Sequence, residues 1–301
     1  MTVHQSRTPM PPLSSLGMDP TRPLAPRLVI LDLDGVVYRG AQPVDGAASL
    51  VAALHERGTI VRFATNNSMA TRAAYLDRLA SMGIGASIDE IVTSTAATID
   101  HLREHLPKVR RVLVVGAAGM LEELREAGLE VTAAADAVGS DYDGGPLPDA
   151  YDAVIAGLDP GFDYRRLAAA SATLRAGALF VATNADLRYP TRSGFMPGAG
   201  SIIAALEAAS GVVPLVIGKP QPGIFRSILE RAGIRPYEAI AIGDNPDADM
   251  VAAHRAGIGS ILVLTGVTDE VAARELSGER RPDLVARDPF GVASLLGLTL
   301  R

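Results

Sequence analysis

The stretch Leu28-Val29-Ile30-Leu31-Asp32-Leu33-Asp34-Gly35-Val36-Val37 places two carboxylates at the carboxyl end of an apolar run. Four consecutive aliphatic residues predict a strand covered on both faces, the pattern of a parallel sheet. Open α/β sheets bind ligands in the crevice beyond the carboxyl ends of their strands. Side chains alternate along a strand, so Asp32 and Asp34 are expected on one side of the pleat, with their charges converging on a small volume. Two bare carboxylates about 4 Å apart repel by roughly 4 kcal/mol at an effective dielectric of about 20, so the pair calls for a cation or a proton. Gly35 allows a tight turn and lets backbone N–H groups approach a ligand. Taken alone, Asp-x-Asp-Gly serves equally as a strand end whose acids cap the next helix, and the rest of the chain has to decide.

At 301 residues with 48% hydrophobic content, the chain is long enough for two domains with sizeable cores. Apolar runs fall short of the ~20 residues of a membrane span, and the amino-terminal region lacks the apolar centre of a signal peptide. A cytoplasmic location and no membrane partner are therefore expected. The formal net charge of -6 supplies no basic field for a nucleic-acid partner. With no cysteine there are no disulfides and no thiolate metal ligands, as suits a reducing compartment. Prolines 9, 11, 12, 20, 23 and 26 predict a disordered tail over residues 1–26, within which Met10 and Met18 offer alternative translation starts. Lys108 and Lys219 are the two lysines in a background of arginine. Lys108 precedes a strand and calls for no function.

Apolar runs of four to six residues alternate with helical patterns, which predicts α/β architecture with a Rossmann-like doubly wound parallel sheet. After the first strand come a helix near 46–57, a strand at 60–64, and a helix from Thr71 to Met82 ending at Gly83. Strands at 215–217, 239–242 and 260–264 belong to the later part of the chain. Between them, strands at 112–115, 153–156 and 179–182 form a second βαβ series, read as an inserted domain. The expected division is a core of 27–92 plus 214–301 and an insertion of 93–213. Asp141 to Pro148 reads as an exposed loop.

Three more strand ends carry related chemistry. Val61-Arg62-Phe63-Ala64 runs into Thr65-Asn66-Asn67-Ser68, donors suited to phosphate oxygens. Leu215-Val216-Ile217-Gly218 leads to Lys219-Pro220, a lysine that can reach an anion. Ala239-Ile240-Ala241-Ile242-Gly243 delivers Asp244-Asn245-Pro246-Asp247-Ala248-Asp249, an acidic loop opening a helix. Oxygen-only clusters of this kind suit Mg²⁺, a hard cation. Each piece alone is an ordinary turn, loop or helix start. Their order and shared position at strand ends are much harder to reach by chance.

That order resembles the haloacid dehalogenase superfamily of phosphotransferases, whose four motifs match Asp32-Leu33-Asp34-Gly35, Thr65-Asn66-Asn67, Lys219, and Gly243-Asp244 with Asp249. The resemblance covers Arg27 to about Leu296, without departure at the core positions. The insertion, with Ala182-Thr183-Asn184-Ala185-Asp186 and the run from Pro190 to Gly200, resembles the large α/β cap domain of the NagD-type subfamily. That subfamily includes p-nitrophenyl, phosphoglycolate, glycerol-phosphate and pyridoxal phosphate phosphatases.

The resemblance implies hydrolysis of a phosphate monoester of a small metabolite through an aspartyl-phosphate. Asp32 is the implied nucleophile. Asp34 is the implied general acid and then base, which asks for a pKa above that of Asp32. Asp32, the Asp34 backbone carbonyl and Asp244 are the implied Mg²⁺ ligands, with Asp249 orienting a metal-bound water or Lys219. Thr65, the Asn66 backbone N–H and Lys219 are implied to hold the phosphate oxygens. The cap would close over the site, with Arg188, Tyr189 and Arg192 as candidates for substrate choice and as competing surface residues. The resemblance also allows a homodimer formed through the cap.

Two other functions compete. Val112-Leu113-Val114-Val115-Gly116-Ala117-Ala118-Gly119-Met120 is close to the start of a dinucleotide-binding unit, but Glu122 stands where the third glycine belongs. Asp136, at the distance of a ribose ligand, falls in an alanine-rich segment rather than at a clear strand end. The other alternative is a phosphate-ester sensor that binds without turnover. His101 and His105 have metal-gripping helical spacing but no third ligand nearby. His254 and Asp247 read as packing or surface residues, and Ile202, Ile203 and Leu206 as core.

Overall fold

The computed structural model describes residues 24–147, 149–191 and 194–300. Six parallel strands form one sheet in the order Leu284–Ala286, Gly259–Val263, Ala239–Gly243, Leu28–Asp32, Ile60–Thr65, Ile91–Thr93. Alternation along each strand feeds both faces. Val29 and Leu31 pack with Phe63, Ile242 and Ile261 against helices Ala47–Glu56, Arg72–Ser81 and Pro289–Leu296. Leu28 and Ile30 pack with Val92 and Ala241 against helices Ser94–His105, Gly223–Ala232 and Val251–Ala256. This is the expected doubly wound core. From Leu28–Asp32 the chain winds outward in one direction, and from Ala239–Gly243 in the other. The crevice between these two strands is therefore the switch point at which such sheets bind ligands.

A second parallel sheet runs Leu215–Val216, Leu179–Ala182, Ala153–Ala156, Arg111–Val115, Glu130–Ala133. Helices Tyr164–Arg175 and Ala199–Ser210 cover one face, where Ile202, Ile203 and Leu206 are buried as expected. The opposite face joins the core's own apolar cluster through helices Ser94–His105 and Ala118–Glu126. The cap thus shares a continuous hydrophobic interior with the core.

Leu215–Val216, expected in the core, bonds to Leu179–Ala182 in the cap sheet. Pairing partners are non-local, and a short apolar run does not declare them. The segment after Asp186 contains an antiparallel hairpin of Arg188–Thr191 with Gly194–Pro197. Residues 1–23 of the expected tail lie outside the described residues, while the Leu24 N–H donates to the Leu295 carbonyl at 3.0 Å. Asp141 to Leu147 form no helix or strand, and Pro148 lies outside the described residues. Among the described residues no helix is long and apolar enough to cross a membrane.

Candidate active site

Asp32 is the last residue of Leu28–Asp32, and Asp244 directly follows Ala239–Gly243. These strands are hydrogen-bonded neighbours, so their register alone brings the two carboxylates together. Asp249 arrives from the turn Pro246–Met250, which Asn245 starts by accepting the Asp247 N–H at 3.0 Å. Carboxylate oxygens of Asp32, Asp244 and Asp249 lie within 4.8 Å of one another. Lys219 enters this group with its Nζ 2.5 Å from Asp32 Oδ1, 2.7 Å from Asp249 Oδ1 and 3.2 Å from the Ala64 carbonyl. Asp249 Oδ2 accepts the Asn245 N–H at 3.1 Å, and Asp244 Oδ2 accepts the Val267 N–H at 2.7 Å.

Three carboxylates against one ammonium leave an excess of negative charge in a nearly closed space. Burial pushes Asp32 well above the usual carboxylate range, and Asp249 and Asp244 add to that rise against the pull of Lys219. Burial and Asp249 push Asp244 up to about 7. Burial works against the Lys219 charge, but Asp249 and Asp32 outweigh it and keep the amine protonated. The donors are all oxygen, which fits a hard divalent cation. The backbone fits as well: a Cβ on Gly35, where φ is 82°, or on Gly266 would overlap the Asp244 carboxylate, and one on Gly243 would overlap Asp249. The acids therefore seat on backbone that admits no side chain.

The acids that converge on Asp32 come from Asp244 and Asp249, not from Asp34. Strand geometry stops at Asp32, and Asp34 sits in a bridge with Tyr38, exposed at the mouth. Protein around that mouth still raises the Asp34 pKa, while Arg78 and Lys219 pull it down. Arg78 lies over the Tyr38 ring, 3.9 Å from its centroid, and donates to the Gly40 carbonyl. Positive charge near Asp32 favours its carboxylate form, so a cation at the cluster acts against the rise that burial imposes on it.

Thr65 ends its strand, is buried, and accepts the Asn67 N–H on its hydroxyl at 3.1 Å. The Asn66 side chain is fully engaged. Its Oδ1 accepts the Lys219 N–H at 2.8 Å, and its Nδ2 donates to the Lys219 carbonyl at 2.8 Å and to both Asp186 oxygens at 3.1 and 3.0 Å. A phosphate can therefore meet Asn66 through its backbone N–H, not its side chain.

Arg188 and Tyr189 face opposite ways on their strand. Tyr189 packs on the cap interior and lies near Tyr75, a phenol raised by burial and by Asp34, with Tyr189 adding a smaller push. Arg188 is exposed, its guanidinium 5.8 Å from the Phe195 ring centroid. Arg192 lies outside the described residues. Asp186, Arg78 and Tyr75 were not singled out from the sequence. Only Asp186 left a signal there, as the acid closing Thr-Asn-Ala-Asp; the other two lie on a helix whose spacing shows amphipathicity and nothing more.

The glycine turn after Val115 serves packing. Ala117 N–H donates to the Leu158 carbonyl at 3.2 Å, and a Cβ on Gly119 would meet the Met69 carbonyl at 2.6 Å and the Thr71 nitrogen at 2.9 Å. The helix start that would hold a pyrophosphate is thus pressed against core backbone. Asp136 follows a strand after all, Glu130–Ala133, but in the turn beyond its end. His101 and His105 have ring centroids 4.6 Å apart, and the Asp32, Asp244, Asp249 group is the only metal-capable cluster among the described residues. Lys108 and His254 are exposed, and Asp247 pairs with Arg280 at 2.7 Å.

Residues 29–130 match a family model described as haloacid dehalogenase-like hydrolase, and residues 216–289 match one described as HAD-hydrolase-like. An acid sugar phosphatase of Staphylococcus epidermidis is 33% identical over 249 residues, covering 82% of this chain and 90% of that protein. A 5′-nucleotidase of Bacillus subtilis is 34% identical over 239 residues, covering 79% and 87%. The crystal structure of a glycerol phosphate phosphatase from Mycobacterium tuberculosis in complex with magnesium superposes with a TM-score of 0.77 at 33% identity, covering 89% of this chain and 76% of that one.

Proposed function

Because the chain belongs to the haloacid dehalogenase-like hydrolases, we propose that its strand-end cluster uses Mg²⁺ to hydrolyse phosphate monoesters of small metabolites, each motif residue acting in its implied role. The chain is a phosphatase that works through an aspartyl-phosphate and uses a divalent metal. The observation that carries the residue assignment is Lys219 Nζ at 2.5 Å from Asp32 within the three-carboxylate cluster.

In this reading an Asp32 oxygen attacks phosphorus in line, and the ester P–O bond breaks as Asp34 gives the leaving oxygen its proton. Asp34 then takes a proton from water, which attacks the aspartyl-phosphate, frees inorganic phosphate and regenerates Asp32. Thr65, the Asn66 backbone N–H and Lys219 hold the oxygens over which charge spreads. Asp249 keeps the Lys219 amine charged and aimed at Asp32. Asp32, the Asp34 carbonyl and Asp244 would hold Mg²⁺, whose charge offsets the repulsion between an anionic nucleophile and an anionic phosphate. Residues 27–92 and 214–301 are proposed as the catalytic core and 93–213 as the cap, except that Leu215–Val216 pairs with the cap sheet.

The named relatives act on sugar phosphates, nucleotides and glycerol phosphate, which supports a small phosphorylated substrate. The test is phosphate release from a panel of sugar phosphates, glycerol phosphate, phosphoglycolate, nucleoside monophosphates and pyridoxal phosphate, with Mg²⁺ and with chelator. Release with Mg²⁺ that stops on chelation is the expected result. Mg²⁺ at a hundredfold its dissociation constant should also stabilise the fold by about 2.7 kcal/mol, read as a rise in melting temperature. A melting temperature blind to Mg²⁺, or release undiminished by chelator, would contradict the metal assignment.

A further inference from the structure

Lys219 does not arrive from the core sheet. The strand before it, Leu215–Val216, belongs to the cap sheet, and the bonding continues past its end. Ile217 N–H donates to the Ala182 carbonyl at 3.0 Å, and Gly218 N–H donates to the Thr183 carbonyl at 2.8 Å. Gly218 is wedged there, since a Cβ on it would meet the Thr183 carbonyl at 2.5 Å and Asn66 Oδ1 at 2.7 Å. The lysine that touches the nucleophile is therefore carried on cap backbone.

Asn66 ties this cap-borne loop to the core. Its amide grips both sides of Lys219, the N–H through Oδ1 and the carbonyl through Nδ2. This orientation is self-consistent, because a flipped amide would set donor against donor. The remaining Nδ2 hydrogen goes to Asp186, a cap carboxylate that also accepts from Asn184 Nδ2 at 2.9 Å. Asp186 is in turn fixed by its own main chain: its carbonyl accepts the Gly200 N–H at 2.9 Å, at the start of helix Ala199–Ser210. The line from cap helix to Asp186, Asn66, Lys219 and Asp32 is unbroken.

We propose that Asp186 is a positioning residue which orients the Asn66 amide and, through it, Lys219, so that the catalytic cation is aligned only when the cap is seated on the core. This deepens the phosphatase reading and rests on it. Removing Asp186 leaves the Asn66 amide free to turn and weakens its hold on Lys219. The loss then falls on a group that meets every substrate alike, not on contacts to one leaving group.

Asp186→Ala should lower kcat by roughly ten- to a hundredfold, the range for an outer partner of a catalytic site, and by the same factor for a small acyl phosphate and a bulky ester. Asp186→Asn keeps an acceptor oxygen for Asn66 and should recover most of the loss, which also guards against misfolding of the alanine variant. Adding Asp186→Ala to Asn66→Ala should cost nothing beyond Asn66→Ala alone. Unchanged kcat, losses that differ between esters, or additive losses would overturn the inference. If the wild type released phosphate from no ester, the phosphatase reading would fall, and amide hydrogen exchange would still test the link. Residues 217–222 should exchange faster in Asp186→Ala than in the wild type while Leu28–Asp32 does not change. Identical exchange in both proteins would overturn the proposal.

Discussion

Replacing Asp32 with asparagine should abolish turnover, with a loss of at least about 10⁴-fold, because the substitution keeps the shape of the side chain and removes the carboxylate proposed to attack. Asparagine still offers an oxygen to Lys219, so the local hydrogen bonding survives. Stability should move the other way. Asp32 is held well above the ordinary carboxylate range by burial and by Asp249 and Asp244, so removing its charge relieves repulsion. The variant should therefore melt no lower than the wild type in the absence of divalent metal. Steady-state phosphate release and a melting curve on the same sample check both halves. Activity within tenfold of the wild type would end the assignment of Asp32, and a dead but unfolded variant would leave the stability argument wrong.

Lys219→Met carries the next largest effect and couples activity to stability. Lys219 is 3% exposed, and its amine neutralises Asp32 and Asp249 while also donating to the Ala64 carbonyl. Methionine fills most of the volume but leaves buried acids facing one another without a cation. Breaking a buried ion pair by removing one partner costs about 3–5 kcal/mol, and turnover should fall by about 10²- to 10³-fold with the loss of a donor to developing charge. A divalent cation can take over part of the neutralisation. The melting temperature of Lys219→Met should therefore rise more on adding Mg²⁺ than that of the wild type. Equal stability of the two proteins without metal would show that the three acids do not depend on this amine.

Much of the site was legible because its chemistry sits at strand ends. Asp32 and Asp244 each follow an apolar run that could only be a buried strand, and adjacent parallel strands bring such ends together. Gly35 and Gly243 could be read as turn residues, but their closer function, clearing space for Asp244 and Asp249, needs the tertiary structure. Pattern failed where elements are short or pairing is distant. Tyr38–Arg39 and Gln42–Pro43 form a hairpin of two-residue strands, too brief for any alternation to show. Ile91–Thr93 closes the core sheet with three residues and merges directly into the next helix.

The cap made the harder problem. Leu215–Val216 looked like a core strand because it precedes Lys219 in sequence, and only its partner in the cap sheet reveals how that lysine is carried. Asp186 reads as a turn acid, and its bond to Asn66 spans 120 residues of chain. Arg78 occupies an ordinary helix position, yet the Tyr38–Arg39 hairpin folds back so that its guanidinium covers the Tyr38 ring beside Asp34. Each of these depends on contacts between elements, which no local spacing encodes.

In the proposed mechanism Asp32 forms the covalent phosphoenzyme and Asp34 drives its turnover. The most direct measurement is to incubate Asp34→Asn with Mg²⁺ and a hydrolysed ester, quench in acid, and map the phosphoryl group by peptide mass spectrometry. One phosphoryl group is expected on the peptide containing Asp32, persisting longer than in the wild type and absent from Asp32→Asn. A phosphoryl group on another residue, or phosphate release from the wild type with no covalent species in either protein, would contradict it.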